Sequence, residues 1–269
     1  MASATTTQTE PITAENVLRL FPDVNTTLVS THNASNSSQD ADLEGYDEEQ
    51  IRLMDEVCIV LDEDDNPIGS ASKKTCHLME NINLGLLHRA FSIFVFSPSN
   101  KLLLQRRAPS KITFPNMWTN TCCSHPLGIP SETGANLEAS VAGVKRAAQR
   151  KLAQELGIDA KQVPTEQMRF LTRIQYKAPS DGKWGEHEID YILVLKAKEE
   201  VRYQGNENEV CDVKYVAPEE LKAMFKEEGL TFTPWFRLIC DTLLFEWWEH
   251  LDDKDFEEKY VGETQIRRM

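Results

Sequence analysis

The sequence predicts an α+β domain, a mixed β-sheet flanked by helices, spanning residues 47–269 behind an N-terminal extension of residues 1–46. Three observations carry this. A β-branched and aromatic run returns on itself across a turn, one amphipathic helix follows, and further strands lead into helices near the C-terminus.

Residues 1–50 hold nine acidic residues and one basic residue, Arg19, among many Ser, Thr and Asn. An import peptide is Arg-rich and poor in acids, so this stretch does not read as one. Residues 12–21 suit a short amphipathic helix and residues 30–45 a solvated linker, so the extension is expected to be partly disordered. Asn25, Asn33 and Asn36 each begin an Asn-x-Ser/Thr triplet, a coincidence where no export signal accompanies them.

Regular structure is expected from about Met54. Residues 57–61 form a short apolar strand, stopped by the acidic turn that ends in Asn66-Pro67. Residues 90–96 and 102–106 make a hairpin around Ser97-Pro98-Ser99-Asn100. Residues 137–156 set Val141, Val144, Ala148, Leu152 and Leu156 at helical spacing, and Gly157 closes that helix. Residues 170–178 and 188–195 read as strands around a polar turn, residues 213–216 as a short strand, and residues 218–226 and 234–250 as helices.

The net charge of −14 leaves no basic face for a nucleic acid, and no run of 18 apolar residues spans a membrane. The six cysteines form no evident disulfide framework, which points to reduced thiols in the cytosol.

Two segments carry chemistry. Thr119-Asn120-Thr121-Cys122-Cys123-Ser124-His125-Pro126 places two thiols beside an imidazole. A thiol serves as nucleophile or base, and imidazole is a common metal ligand. In extended chain the adjacent cysteines point opposite ways, so at most one faces a cleft and the other is a small core residue. Trp184-Gly185-Glu186-His187-Glu188-Ile189-Asp190-Tyr191 places Glu186 and Glu188 on one strand face, either a site or a solvated face. His77, His88, His125 and His187 lack the i, i+4 spacing of a helical zinc site. Any metal centre is therefore assembled from separate elements, and ordinary hydrogen-bonded histidines remain the alternative. Lys73, Lys74, Arg106, Arg107 and Lys111 concentrate positive charge around these segments, as a phosphate or diphosphate ligand requires. The end of the long helix, with Arg150, Leu152, Glu155, Gly157 and Ile158, keeps part of a Nudix box. Lys151 and Gln154 stand where that box has glutamates, which argues against a multi-metal diphosphate hydrolase.

With these motifs in this order, the chain resembles the type 1 isopentenyl-diphosphate Δ-isomerases, the metal-dependent Nudix-fold family, in their eukaryotic and particularly fungal form. Lys73–His77, Gly85–Phe91, the cysteine segment, Trp184–Tyr191 and Thr233-Pro234-Trp235-Phe236 carry the resemblance. It implies interconversion of isopentenyl diphosphate and dimethylallyl diphosphate by a 1,3-allylic proton shift through a tertiary carbocation, in isoprenoid and sterol precursor synthesis. By the same resemblance Cys123 and Glu188 are the acid/base pair, Tyr176 assists the glutamate and Trp235 faces the cation. His77, His88, His125, Glu186 and Glu188 would hold one divalent ion, Mg²⁺, Mn²⁺ or Zn²⁺. Glu155 would help hold a second Mg²⁺ carried by the substrate, and Lys73, Arg107, Lys111 and Ser124 would contact the diphosphate.

Overall fold

The computed structural model describes residues 10–27 and 40–269. Ten strands form one mixed sheet: β1 (Val57–Leu61), β2 (Pro67–Ser72), β3 (Leu87–Phe96), β4 (Leu102–Arg107), β5 (Trp118–Thr119), β6 (Cys122–Ser124), β7 (Arg169–Pro179), β8 (Gly185–Lys196), β9 (Val210–Val216) and β10 (Ile266–Arg268). The backbone path across it runs β10-β7-β8-β3-β1-β2, with β4 and β6 on β3 and with β5 and β9 on β4. The β3–β8 and β7–β10 pairs are parallel, and the other strand pairs are antiparallel. β3 is buried at every position because it is flanked by strands at both edges and covered on both faces.

The helix Leu137–Leu156 has the bounds the sequence predicts, since both ends are signalled. The Asn136 side chain accepts from the Ala139 N–H, and Gly157 takes the left-handed conformation at φ 61°. Its Val144, Ala148, Leu152 and Leu156 pack with Ile93, Leu103 and Leu193 from one side of the sheet. The other side is closed by the C-terminal helices, where Trp235, Phe236, Leu244 and Trp248 meet Phe94, Ile192 and Val194. The single helix expected over residues 234–250 is three pieces: Pro234–Ile239, a wider π turn at Cys240–Leu244, and Phe245–Glu249. The buried pairs Trp235/Phe236, Ile239/Cys240, Leu243/Leu244 and Trp247/Trp248 recur every four residues, and the extra residue of the π turn keeps them on one face.

Order begins earlier than Met54. Ile12, Val17, Phe21 and Val24 are buried against Cys58, Val60, Cys76 and Leu86, with helix only at Val17–Leu20. Asn25 exchanges backbone hydrogen bonds with Ser70 at 2.8 Å, so it is a strand-edge residue. Gly69 permits this approach, because a Cβ there would lie 2.6 Å from Val24 Cγ1. Of the expected solvated linker, residues 40–45 are held in place. Asp40 and Asp42 pair with Lys74, and Leu43 packs beside Trp184 and Ile112. Residues 30–39 of that linker, with Asn33 and Asn36, lie outside the described residues. The helix Glu48–Leu53 follows, capped by Asp47.

One buried ion cluster ties the β1–β2 turn to the sheet. Asp65, at φ 69°, accepts from the Arg89 guanidinium at 2.8 Å, from Arg173 at 2.8 Å, and from the Tyr191 hydroxyl. The side chains of Arg89 and Asp65 are 0% and 3% exposed, so each charge depends on its partners rather than on water.

Candidate metal centre and acid/base pocket

The register of the sheet builds the site. In the parallel β3–β8 pair His88 stands opposite Glu188. In the antiparallel β7–β8 pair Tyr176 stands opposite the same Glu188, and in the β3–β6 pair Ser92 stands opposite Cys123. Alternation along β8 sends Glu186 and Glu188 to one face. His187 goes to the other face, where its Nδ1 bonds the Leu86 carbonyl at 2.9 Å, and it takes no part in the cluster. His77 ends the short helix Lys73–His77, which is capped by Ser72, and His125 follows β6.

His77, His88, His125, Glu186 and Glu188 bring one ligand atom each to within 4.8 Å of one another. His77 Nε2 lies 2.8 Å from Glu186 Oε2, and His125 Nε2 lies 2.9 Å from Glu188 Oε1. Burial pushes the His77 and His125 imidazoles well below their ordinary range, so both are neutral. His77 Nδ1 donates to the Lys73 carbonyl at 2.6 Å, which leaves Nε2 an acceptor aimed at a carboxylate oxygen. His77 Nε2, His88 Nε2 and Glu186 Oε2 are buried without a hydrogen-bond partner. Acceptors facing acceptors at such distances fit a cation between them, and three imidazoles with two carboxylates suit a divalent ion.

Burial and the neighbouring Glu188 raise the Glu186 carboxyl well above the ordinary range. Burial also works to raise Glu188, but the contacts from His125 and His88 outweigh it and hold that carboxyl low. Its other oxygen, Oε2, accepts the Tyr176 hydroxyl at 2.5 Å. Cys123 lines the same pocket, half-buried. Burial, then Asp190 and Glu188, push its thiol well above the ordinary range, with only Ser92 acting the other way, so it is held as the neutral S–H. Its neighbour Cys122 is fully buried under the long helix, as the alternation of adjacent side chains requires.

Trp235 closes the pocket. Its Nε1 donates to Asn120 Oδ1 at 3.2 Å, its ring meets Phe114 edge-on at 5.1 Å, and the Arg107 guanidinium lies 5.9 Å from the ring centre. Lys73, Arg107, Lys111, Ser124 and Glu155 also line this pocket, whereas Lys74 pairs with Asp40 and Asp42, Arg106 bonds the Asn116 carbonyl and neither lines it. Glu155 stands apart from the five-ligand group. It faces Lys151 at 3.3 Å, and its Oε2 accepts from Gln105 at 3.1 Å.

Sequence reasoning missed three contributors. Lys151 is buried on the pocket wall and was visible only as a departure from the Nudix box. Asn120 fixes the Trp235 ring and lies unremarked inside the cysteine segment. Glu209, which bonds Lys111 at 2.5 Å, carries no local signal. A larger groove, about 1020 Å³, lies elsewhere, beside Lys145, Phe170 and Glu257. It is lined by no cysteine or histidine, whereas the smaller pocket gathers Cys123, His125, Glu186 and Glu188 and is the candidate site.

A NUDIX domain is matched over residues 86–236. The chain is 64% identical over 269 residues to the isopentenyl-diphosphate delta-isomerase of Gibberella zeae, covering 100% of each. It is 63% identical over 280 aligned positions to that of Aspergillus fumigatus, covering 100% of this chain and 99% of the relative. Isopentenyl-diphosphate Delta-isomerase 1 of Mesocricetus auratus is 52% identical over 226 residues, covering 83% of this chain and 96% of that one. Identity at this level, over the whole chain in two fungi and 83% of it in a mammal, means that the chain belongs to the isopentenyl-diphosphate delta-isomerase family and is built on a NUDIX domain.

Proposed function

We propose that this chain interconverts isopentenyl diphosphate and dimethylallyl diphosphate by a 1,3-allylic proton shift. The observation that carries this reading is the meeting, in one small pocket, of a neutral thiol, Cys123, and a carboxylate, Glu188, beneath a rim of buried cations. A double-bond shift needs a proton added at C4 and another removed from C2, so it needs two acid/base groups within reach of one substrate. Cys123 and Glu188 fill these roles from opposite faces, and Tyr176 steadies Glu188 through its hydrogen bond.

Protonation at C4 leaves positive charge on the tertiary carbon C3. Trp235, with Tyr176 tilted 6.2 Å away, offers a π face to that charge, and the enclosed walls exclude the water that would trap it. Lys73, Arg107, Lys111 and Ser124 hold the diphosphate. Arg107 is fixed for this by bonds to the Phe114 and Thr113 carbonyls at 3.0 and 2.8 Å.

His77, His88, His125, Glu186 and Glu188 would hold one divalent ion, which we assign as Mg²⁺, with Mn²⁺ and Zn²⁺ chemically suited. When bound it supplies the positive charge that keeps Glu188 ionised and oriented. Glu155 is poised to share a second Mg²⁺ arriving with the diphosphate. The product class assigns the chain to isoprenoid and sterol precursor synthesis. The free state of all six cysteines supports a reducing, cytosolic setting, and no helix among the described residues is long and apolar enough to cross a membrane.

Proton NMR of isopentenyl diphosphate with Mg²⁺ in D₂O tests the reading. Wild type is expected to yield dimethylallyl diphosphate with deuterium in a methyl group, and Cys123→Ala to yield none. No exchange and no new olefin from folded, metal-replete wild type would overturn it.

A further inference from the structure

We infer that Glu209 is a positioning residue for diphosphate binding: its buried carboxylate aims Lys111 into the pocket and keeps it cationic there. The inference rests on the diphosphate reading of the pocket and adds a residue that no motif marks.

The geometry begins in the sheet. β4 and β9 pair with Arg106 opposite Asp212 and Arg107 opposite Val210, so Cys211 is a bulge residue on β9. Beyond the bulge the Ala108 N–H donates to the Glu209 carbonyl at 2.9 Å, and the Lys111 N–H donates to the Ala108 carbonyl at 3.2 Å. Glu209 is thus bound through its backbone to the same turn that carries Lys111. Its side chain, 2% exposed, accepts from Lys111 Nζ at 2.5 Å through Oε2 and from Gln50 Nε2 at 3.2 Å through Oε1. Gln50 comes from the helix Glu48–Leu53, and its amide also bonds Asn208 Oδ1 at 2.6 Å. Two donors from two elements leave the carboxylate one orientation.

Lys111 needs this partner. Its side chain is 8% exposed, with the cations Lys73 and Arg107 around it and Glu155 as the other acid near it. Burial first, then those cations, bring its ammonium down to about 8 even though Glu209 opposes the shift. Glu209 is held down to about 2: burial works to raise it, and Lys111, followed by Lys151, overcomes that. One of the three ammonium protons goes to Glu209, and two remain for phosphate oxygens. Without the carboxylate the buried amine loses its proton within the physiological range and ceases to act as an anion ligand.

The test uses full-length, metal-loaded protein and inorganic pyrophosphate with Mg²⁺, titrated calorimetrically between pH 6 and pH 8. Glu209→Gln removes the group that opposes the fall in Lys111, so its ammonium should lose its proton at a lower pH than the wild-type value of about 8. The affinity relative to wild type is therefore expected to be near equal at the lower pH and several-fold weaker at the higher, where wild-type Lys111 is itself about half deprotonated. Glu209→Asp should restore part of the loss. In a Lys111→Arg background, where the cation cannot lose its proton, Glu209→Gln should no longer depend on pH. In turnover, the KM for isopentenyl diphosphate should rise while kcat holds. A wild-type-to-variant ratio that stays constant from pH 6 to pH 8 would show a merely structural Glu209 and overturn the inference. A wild type that binds no pyrophosphate would instead remove the diphosphate reading and the inference together.

Discussion

Tyr176 and Glu188 face each other across the β7–β8 pair, and the phenol donates its proton to Glu188 Oε2 at 2.5 Å. The other oxygen of that carboxylate faces His125 at 2.9 Å and His88 at 3.2 Å. One carboxylate thus belongs on one side to the metal group and on the other to a neutral donor. Tyr176→Phe should keep metal binding and lower kcat by about tenfold to a hundredfold, the worth of one hydrogen bond to a charged group. Metal content and turnover measured on the same sample check this; unchanged kcat would reduce Tyr176 to packing.

Cys123→Ala removes a side chain that no ligand of the metal group contacts through a hydrogen bond, so fold and metal content should survive. Turnover should fall by about 10³-fold, as expected for an acid/base group. Because burial and two acids hold the thiol neutral, alkylation by iodoacetamide should be slow at pH 7 and still rising above pH 9. Substrate should protect it. Loss of metal with the thiol would instead favour a structural Cys/His centre.

Metal removal separates function from folding. The two large apolar clusters lie on the two sides of the sheet and contain none of the five ligands. Chelation should therefore abolish turnover and leave the far-ultraviolet circular dichroism intact. Collapse of that signal would mark a metal-nucleated fold.

Glu209 also predicts a pH dependence of stability. Its carboxyl is held at about 2, below the ordinary 4.5, so its contribution is complete above about 4.5 and is lost as pH falls toward 2. Glu209→Gln should be less stable than wild type at pH 7 and lose less stability on acidification. Parallel denaturation curves from pH 7 to pH 3 for the two proteins would contradict this.

Asp65→Asn should destabilise the protein by about 3–5 kcal/mol, because it leaves Arg89 and Arg173 buried with no counter-charge. Asn tolerates the positive φ, so backbone strain does not confuse the result. Urea denaturation measures it, and a cost below about 1 kcal/mol would mean that the guanidinium groups find water.

The parts of the fold legible in the sequence are those whose signals are local. The long helix has a cap at Asn136 and a stop at Gly157, and both appear as written. The strands around Glu188 are legible as apolar segments flanking a polar turn. β2 was not, because Pro67, Gly69 and Ser70 are poor strand formers whose value lies in admitting Val24 and Asn25 against them. The site divides the same way. Each histidine and glutamate was a visible candidate, but their meeting depends on strand register and came from the family resemblance rather than from spacing. Glu209 acts on a lysine 98 residues away and left no trace that a linear reading could find.

The pairing of His88 with Glu188 has a consequence for the order of events during synthesis. The two strands are parallel neighbours, and nearly a hundred residues of chain separate them. No shorter stretch of the chain holds more than three of the five ligands, so the emerging polypeptide has no complete metal-binding surface until β8 has left the ribosome and docked beside β3. Capture of an ion by this group would therefore come late, and would report on a β3–β8 pairing already made instead of guiding it.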